Sequence, residues 1–194
     1  GKDNVAMILG DNFFYGQNLT SSLLENTKLK KGAKVVLHKV QKPESFGVAK
    51  IDKKNKIIFI KEKPKKFISD LAITGLYFFD NNVVKFAKKL KPSKRGEVEI
   101  VDLLNLYKSK KQLSANLIGR GGAWLDTGSI EDFYKTSAFV SAIENRQGFK
   151  IACIEEIAFN NNWINKNHIK NAINFYGNCD YSNYLKKLIK IKQS

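Results

Sequence analysis

Val5-Ala6-Met7-Ile8-Leu9-Gly10-Asp11-Asn12 sets five apolar residues directly before a Gly-Asp-Asn turn. A short apolar run without alternation reads as a strand buried on both faces of a parallel sheet. Ligands of open α/β sheets sit at the carboxyl ends of strands, so Asp11 falls at a position suited to binding. Trp124-Leu125-Asp126-Thr127-Gly128 repeats the arrangement, with an aspartate where an apolar stretch meets a turn. Taken singly, each aspartate is an ordinary turn or helix-capping residue. Brought together, the two carboxylates repel unless a cation joins them, and Mg²⁺ prefers carboxylate and phosphate oxygens. Asp11 and Asp126 are therefore the candidate catalytic and metal-ligating pair, and the chemistry indicated is that of phosphates.

Outward from the first strand, a Gly/Asn-rich loop is expected through Gly16, then a helix carrying Leu19, Leu23 and Leu24, capped by Asn18 or Thr20. Ala33 to Val40 reads as a strand. Val48 to Asp52 and Ile57 to Ile60 read as a hairpin about the Lys53–Lys56 turn, stopped by Pro64. Ala72 to Phe79 is a further strand. Val83, Val84, Phe86, Ala87 and Leu90 have helical spacing, as do Ile100, Leu103, Leu104 and Tyr107 in a helix over 98–108. Strands follow at Leu113–Ile118 and Ala123–Leu125, then a long amphipathic helix at about 130–145. Beyond Gly148 the chain is Asn-rich and helical in pattern, without strand signals. Strands alternating with helices and then a helical tail define an α/β core over 1–150 and an accessory helical segment over 151–194.

Composition narrows the function classes. At 194 residues and 43% hydrophobic content, with 13 Phe, 7 Tyr and 2 Trp, the chain can bury a sizeable core and is not a disordered one. No apolar run approaches the ~20 residues that span a bilayer, and the first residues lack the pattern of a signal peptide. Cys153 and Cys179 show neither metal-ligand spacing nor a disulfide framework, which points to a reducing cytoplasm. The net charge of +16 raises the question of nucleic acid. The lysines, however, are scattered over turns, helix faces and the tail; only Arg95, Arg120 and Arg146 are arginines, and no recognition-module signature occurs. Nucleic acid is not the indicated partner.

Further residues have properties suited to a sugar phosphate. In Glu62-Lys63-Pro64, at a strand end, a carboxylate can accept hydrogen bonds from sugar hydroxyls beside an ammonium facing a phosphate. A surface charge pair is the plainer reading of the same residues. Gly47 in Ser45-Phe46-Gly47-Val48 can let a ligand approach the backbone, or simply make a turn. Gly75, inside the strand Thr74-Gly75-Leu76-Tyr77, points to a bulge or to something pressed against the backbone. Arg95, ahead of a helix, suits a phosphate as well as it suits a solvated loop.

The order of these segments resembles that of the bacterial glucose-1-phosphate thymidylyltransferases, within the sugar nucleotidyltransferase superfamily. The matching strings are LGDNFFYG (9–16), FGVAKID (46–52), KEKP (61–64), ITGLYFFD (73–80), KPSKRGEVEIVDL (91–103), GRGGAWLDTGS (119–129), IENRQGFK (143–150) and CIEEIAF (153–159). LGDN and EKP are shared widely in the superfamily, whereas TGLYFFD, RGEVEI, AWLDTG and RQGFK together are more selective. The resemblance implies a Rossmann-like three-layer core with a mixed sheet. It implies transfer of a nucleotidyl group from dTTP to glucose 1-phosphate, giving dTDP-glucose and pyrophosphate for dTDP-rhamnose and deoxysugar synthesis in the cytoplasm. Mg²⁺ on Asp11 and Asp126, the hexose bordered by Gly47, Glu62 and Ile73, its phosphate held by Lys63 and Arg95, and Tyr77 lining the pocket are what the family pattern implies. Homotetramers with a regulatory nucleotide site are also implied, with Tyr15, Gly16, Gly119, Arg120 and Glu156 falling at that site. The family pattern opens with a strand, a GGxGTRL loop and a lysine that bind the nucleotide. This sequence starts after them, so it corresponds to the C-terminal portion of such an enzyme and is expected to be inactive alone. The competing readings are transfer from UTP, CTP or GTP, and a non-catalytic regulatory or oligomerisation module.

Overall fold

The structure, a computed structural model, describes residues 2–93 and 96–191. The chain divides into two compact units, Gly1–Phe133 and Tyr134–Ser194. The first is built on strands β1 (Val5–Ile8), β2 (Asn12–Gly16), β3 (Ala33–Lys39), β4 (Val48–Ile51), β5 (Ile57–Lys61), β6 (Leu71–Phe79), β7 (Leu113–Leu117) and β8 (Gly122–Asp126). Helices α1 (Leu19–Thr27), α2 (Asn82–Ala87) and α3 (Ile100–Ser109) lie between them.

β6 is the axis of this unit. Eight of its nine residues are buried, because both of its faces are covered and both of its edges are paired. Tyr77 and Phe79 join Val35 and Leu37 of β3 on one face, against Val83 of α2 and Val101, Leu104 and Tyr107 of α3. Leu76 and Phe78 join Val36 on the opposite face, with Phe14 of β2 and Leu23 of α1. Alternate residues of two neighbouring strands thus feed two separate cores, which makes the three-layer α/β arrangement that the sequence implies. Full burial of side chains such as Leu37 and Leu104 contributes roughly 1.5–3 kcal/mol each. The sheet is mixed: β3 runs parallel to β7 and antiparallel to β6, and β5-β4-β6-β3-β7 is the strand order. The hairpin of β4 and β5 forms as expected.

Three expectations need correction. β1 pairs antiparallel with β6 and has no second strand neighbour among the described residues. Three of its four residues are exposed instead of buried on both faces, Val5 at 37% and Ile8 at 57%, while Met7 packs partly against the core. The stretch to Gly16 is a strand rather than a loop. Phe13, Phe14 and Tyr15 have strong β preference, and β8 supplies a partner in register from Asn12↔Asp126 to Gly16↔Gly122. That two-stranded sheet closes tightly at its far end, where a Cβ on Gly16 would lie 2.6 Å from the Gly122 Cα. Asn18 does stand at the start of α1, but in left-handed conformation (φ 61°) and without a side-chain capping bond. Its side chain is not what ends the loop.

The second unit is helical. α4 (Ile130–Gln147) carries the chain across the division, and α5 (Ile154–Asn160), α6 (Lys166–Tyr176) and α7 (Asp180–Ile191) follow. Cys153, Phe159, Ile169 and Leu185 form its core. Asn165 caps α6 by accepting from the amides of Asn167 and His168, while the His168 ring accepts from the Asn165 amide. This is a capping box with histidine in place of the usual Glu or Gln. Among the described residues no helix is long and apolar enough to cross a membrane.

Candidate active site

The turns after β1 and after β8 are stitched to each other. Thr127 donates both its amide and its hydroxyl to the Asp11 carbonyl, each at 2.8 Å. Asp126, the last residue of β8, lies opposite Asn12, the first of β2. Two residues far apart in sequence thus bring their carboxylates to the rim of one cavity of about 270 Å³. Asp11 is exposed and Asp126 half-buried. Burial pushes the Asp126 carboxyl above the usual carboxylate value. The Gly128 amide opposes that shift, the charges of Asp11 and Asp132 add to it, and Lys63 draws it back. Two further carboxylates, Asp11 and Asp132, thus stand near enough to Asp126 to disfavour its charge.

The opposite wall comes from the β4–β5 hairpin and from β6. Gly47 carries the Glu62 carboxylate over its backbone: a Cβ there would sit 2.8 Å from Oε2 of Glu62. Lys63 is bent into left-handed conformation (φ 38°), and its amide donates to the Phe46 carbonyl at 3.1 Å. That bend brings Lys63 to the same cavity as the carboxylates. The Ile73 amide donates to the Gly47 carbonyl at 2.8 Å, joining β6 to the loop before β4. Tyr77 completes the floor. Its hydroxyl is buried and faces the Glu62 charge, both of which hold it protonated well above its ordinary range.

Asp11, Gly47, Glu62, Lys63, Ile73, Tyr77 and Asp126 therefore line a single cavity. Arg95 lies outside the described residues. Tyr15, Gly16 and Gly119 line a second, larger cavity of about 400 Å³ beside α1, whose walls carry no charged side chain among the described residues. Arg120 is exposed and does not line that cavity. Glu156 belongs to the helical unit, where it accepts a 2.6 Å hydrogen bond from the Tyr184 hydroxyl. Asn12 and Trp124 also line the first cavity, and sequence reasoning assigned neither. Both stand inside quoted motifs, next to or two residues from an aspartate, and that adjacency is the only signal the sequence offers.

Among the described residues there is no group of three or more His, Cys, Asp or Glu side chains placed to hold a metal. A pair of carboxylates fits Mg²⁺ nevertheless, because this ion commonly takes one or two protein carboxylates and fills its octahedron with water and phosphate oxygens.

A layered α/β unit with this cavity is the architecture of a nucleotidyl transferase, and the chain belongs to that family, whose model matches residues 1–143. It is 44% identical over 190 residues to a glucose-1-phosphate thymidylyltransferase of Neisseria meningitidis, covering 98% of this chain and 66% of the relative. It is 39% identical over 189 residues to one of Mycolicibacterium smegmatis, covering 97% and 65% respectively. The structure of a UDP-glucose pyrophosphorylase complexed with UDP-glucose superposes with a TM-score of 0.63 at 25% identity, covering 72% of this chain and 56% of the other. The chain thus spans about two thirds of the length of the curated relatives it matches.

Proposed function

We propose that the chain provides the sugar-phosphate side and the metal carboxylates of a glucose-1-phosphate thymidylyltransferase, which joins dTTP and glucose 1-phosphate into dTDP-glucose with release of pyrophosphate. The observation that carries this reading is the gathering of Asp11, Asp126, Glu62, Lys63 and Gly47 around one cavity in a family member with relatives of that name.

The physical problem is to bring a sugar phosphate against a nucleoside triphosphate when both are anionic. Lys63 would hold the sugar phosphate as a point charge beside the reacting oxygen. Glu62, steadied over Gly47, would accept from hexose hydroxyls, and the backbone next to Ile73 would border the ring. Mg²⁺ on Asp11 and Asp126 would neutralise phosphate charge and help align an in-line displacement. No protein nucleophile is required, since a phosphate oxygen of the sugar attacks the α-phosphorus. Rate comes from positioning and from electrostatic stabilisation.

A regulatory nucleotide in the second cavity, a homotetramer formed through faces such as exposed Ile130 and Phe133, and a cytoplasmic location complete the reading. The likeness to a UDP-glucose enzyme favours one rival, transfer from a different nucleoside triphosphate. Pyrophosphate release from glucose 1-phosphate, assayed with each nucleoside triphosphate in a protein of the relatives' full length, decides between them. Release with dTTP is expected to predominate.

Lys63→Ala should raise the KM for glucose 1-phosphate roughly 10- to 100-fold, the loss of one charge-assisted contact, with a smaller change in kcat. A KM that stays put removes Lys63 from the sugar-phosphate site.

A further inference from the structure

Asn12 stands between a group that can only donate a hydrogen bond and one that, when ionised, can only accept. The Trp124 indole N–H donates to Oδ1 of Asn12 at 2.6 Å, and Nδ2 of Asn12 donates to Oδ1 of Asp11 at 2.7 Å. An indole has no acceptor and an ionised carboxylate no donor, so the amide has a single orientation that satisfies both neighbours. Ser is too short to join them, and Asp or Glu lacks the donor.

Trp124 is itself fixed. It is 8% exposed and packs edge-on against Phe46, with ring centroids 5.0 Å apart. Gly75 makes room for the amide: a Cβ there would lie 2.9 Å from Nδ2 of Asn12 and 3.0 Å from Cδ1 of Leu9. This is what presses against the backbone at the glycine inside β6. Asp11, by contrast, is an exposed turn residue, and this bond is the one side-chain hydrogen bond it makes among the described residues. Its Oδ2 stays out of the chain of bonds.

We propose that Asn12 and Trp124 are positioning residues for the Asp11 carboxylate: Trp124 orients the Asn12 amide, the amide holds Oδ1, and Oδ2 is left turned to a cation. The inference rests on the reading of Asp11 and Asp126 as Mg²⁺ ligands. Neither residue touches the cation. Each acts by removing rotamers that Asp11 would otherwise lose on binding, the role that outer partners of metal ligands commonly play.

Mn²⁺ is the probe, titrated against a protein of the relatives' full length with free Mn²⁺ read by electron paramagnetic resonance. Asn12→Ala should weaken Mn²⁺ binding about 10-fold or more, the usual effect of losing such a partner. Trp124→Phe keeps the ring packing but not the N–H, and should weaken it several-fold. The double variant should bind as Asn12→Ala does, because the indole acts only through the amide. Two results overturn the inference alone: Mn²⁺ affinity unchanged in Asn12→Ala, or a Trp124→Phe effect that persists in full without Asn12. A wild-type protein that binds no Mn²⁺, or whose binding survives Asp126→Asn, overturns the metal reading and this inference with it. Thermal unfolding of each variant separates loss of fold from loss of affinity. Should Trp124→Phe fail to fold, Asn12→Ala carries the test, since its side chain is only half-buried in a two-stranded sheet.

Discussion

Asp126→Asn lowers nucleotidyl transfer by about two to three orders of magnitude while leaving the protein folded; that is the expected result in a protein of the relatives' full length assayed in Mg²⁺. The substitution keeps size and shape at the end of β8 and removes one negative charge. Asp126 makes few structural contacts: the Gly128 amide, 3.2 Å from Oδ1, can donate as well to an asparagine carbonyl oxygen. Folding therefore has little to lose. The site has much to lose, because burial and the neighbouring Asp11 charge already hold the Asp126 carboxyl above its usual value. On the proposed reading, an Mg²⁺ ion joining the two carboxylates would lose half of its protein ligands. The check is initial-rate pyrophosphate release beside thermal unfolding of the same sample. Near-normal turnover would refute the metal role of Asp126.

The largest expected effect on stability lies elsewhere, at Asp80. This carboxylate is 4% exposed at the junction of β6 and α2. It accepts from the Gly32 amide at 2.7 Å, the Tyr107 hydroxyl at 2.8 Å and both the amide and side chain of Asn82 at 3.0 and 3.1 Å. Burial alone would raise its pKa, but these donors outweigh burial and hold it below the usual 3.8. Asp80→Ala leaves the buried Gly32 amide without its acceptor and the Tyr107 hydroxyl with only the long 3.4 Å contact to the Asp80 backbone carbonyl, and should cost about 3 kcal/mol in urea unfolding.

The pH dependence has a definite sign. With the folded pKa below the unfolded one, the unfolded chain takes up the proton first as pH falls. The contribution of Asp80 is in place above about pH 5 and is lost progressively as the pH drops below about 4, through the folded value. Wild-type protein should show this acid weakening and Asp80→Ala should show less of it. Equal acid slopes for the two would remove Asp80 as a stabilising carboxylate.

How far the fold is legible depends on where each element finds its partners. β6 can be read directly, because a strand covered on both faces is a continuous apolar run. The β4–β5 hairpin can be read from its lysine turn. β2 cannot: its Gly and Asn residues look like loop punctuation, and the partner that makes it a strand arrives more than a hundred residues later, in β8. The same distance hides the bond between Trp124 and Asn12, whose sequence separation is 112. β1 is misleading for the opposite reason, since its apolar run suggests cover on both sides that the described residues do not supply. The gathering of Asp11, Gly47, Glu62 and Lys63 at one cavity is legible because each sits at a junction between a strand and a turn, Gly47 before β4 and the others after β1 or β5. Arg120 is not placed by that rule, because a Gly-rich loop leaves open which way its single long side chain turns.

The free side of β1 has a practical consequence. A row of backbone amides and carbonyls there lacks a strand partner among the described residues, flanked by Val5, Ile8 and Leu9 in contact with water. Such a rim is a template on which any extended peptide, another molecule of the same kind included, can zip. What keeps molecules apart is mutual repulsion at a net charge of +16, felt over a Debye length of about 10 Å at 0.1 M salt. Added salt weakens that restraint and leaves the template, so light scattering from this chain is expected to rise with ionic strength.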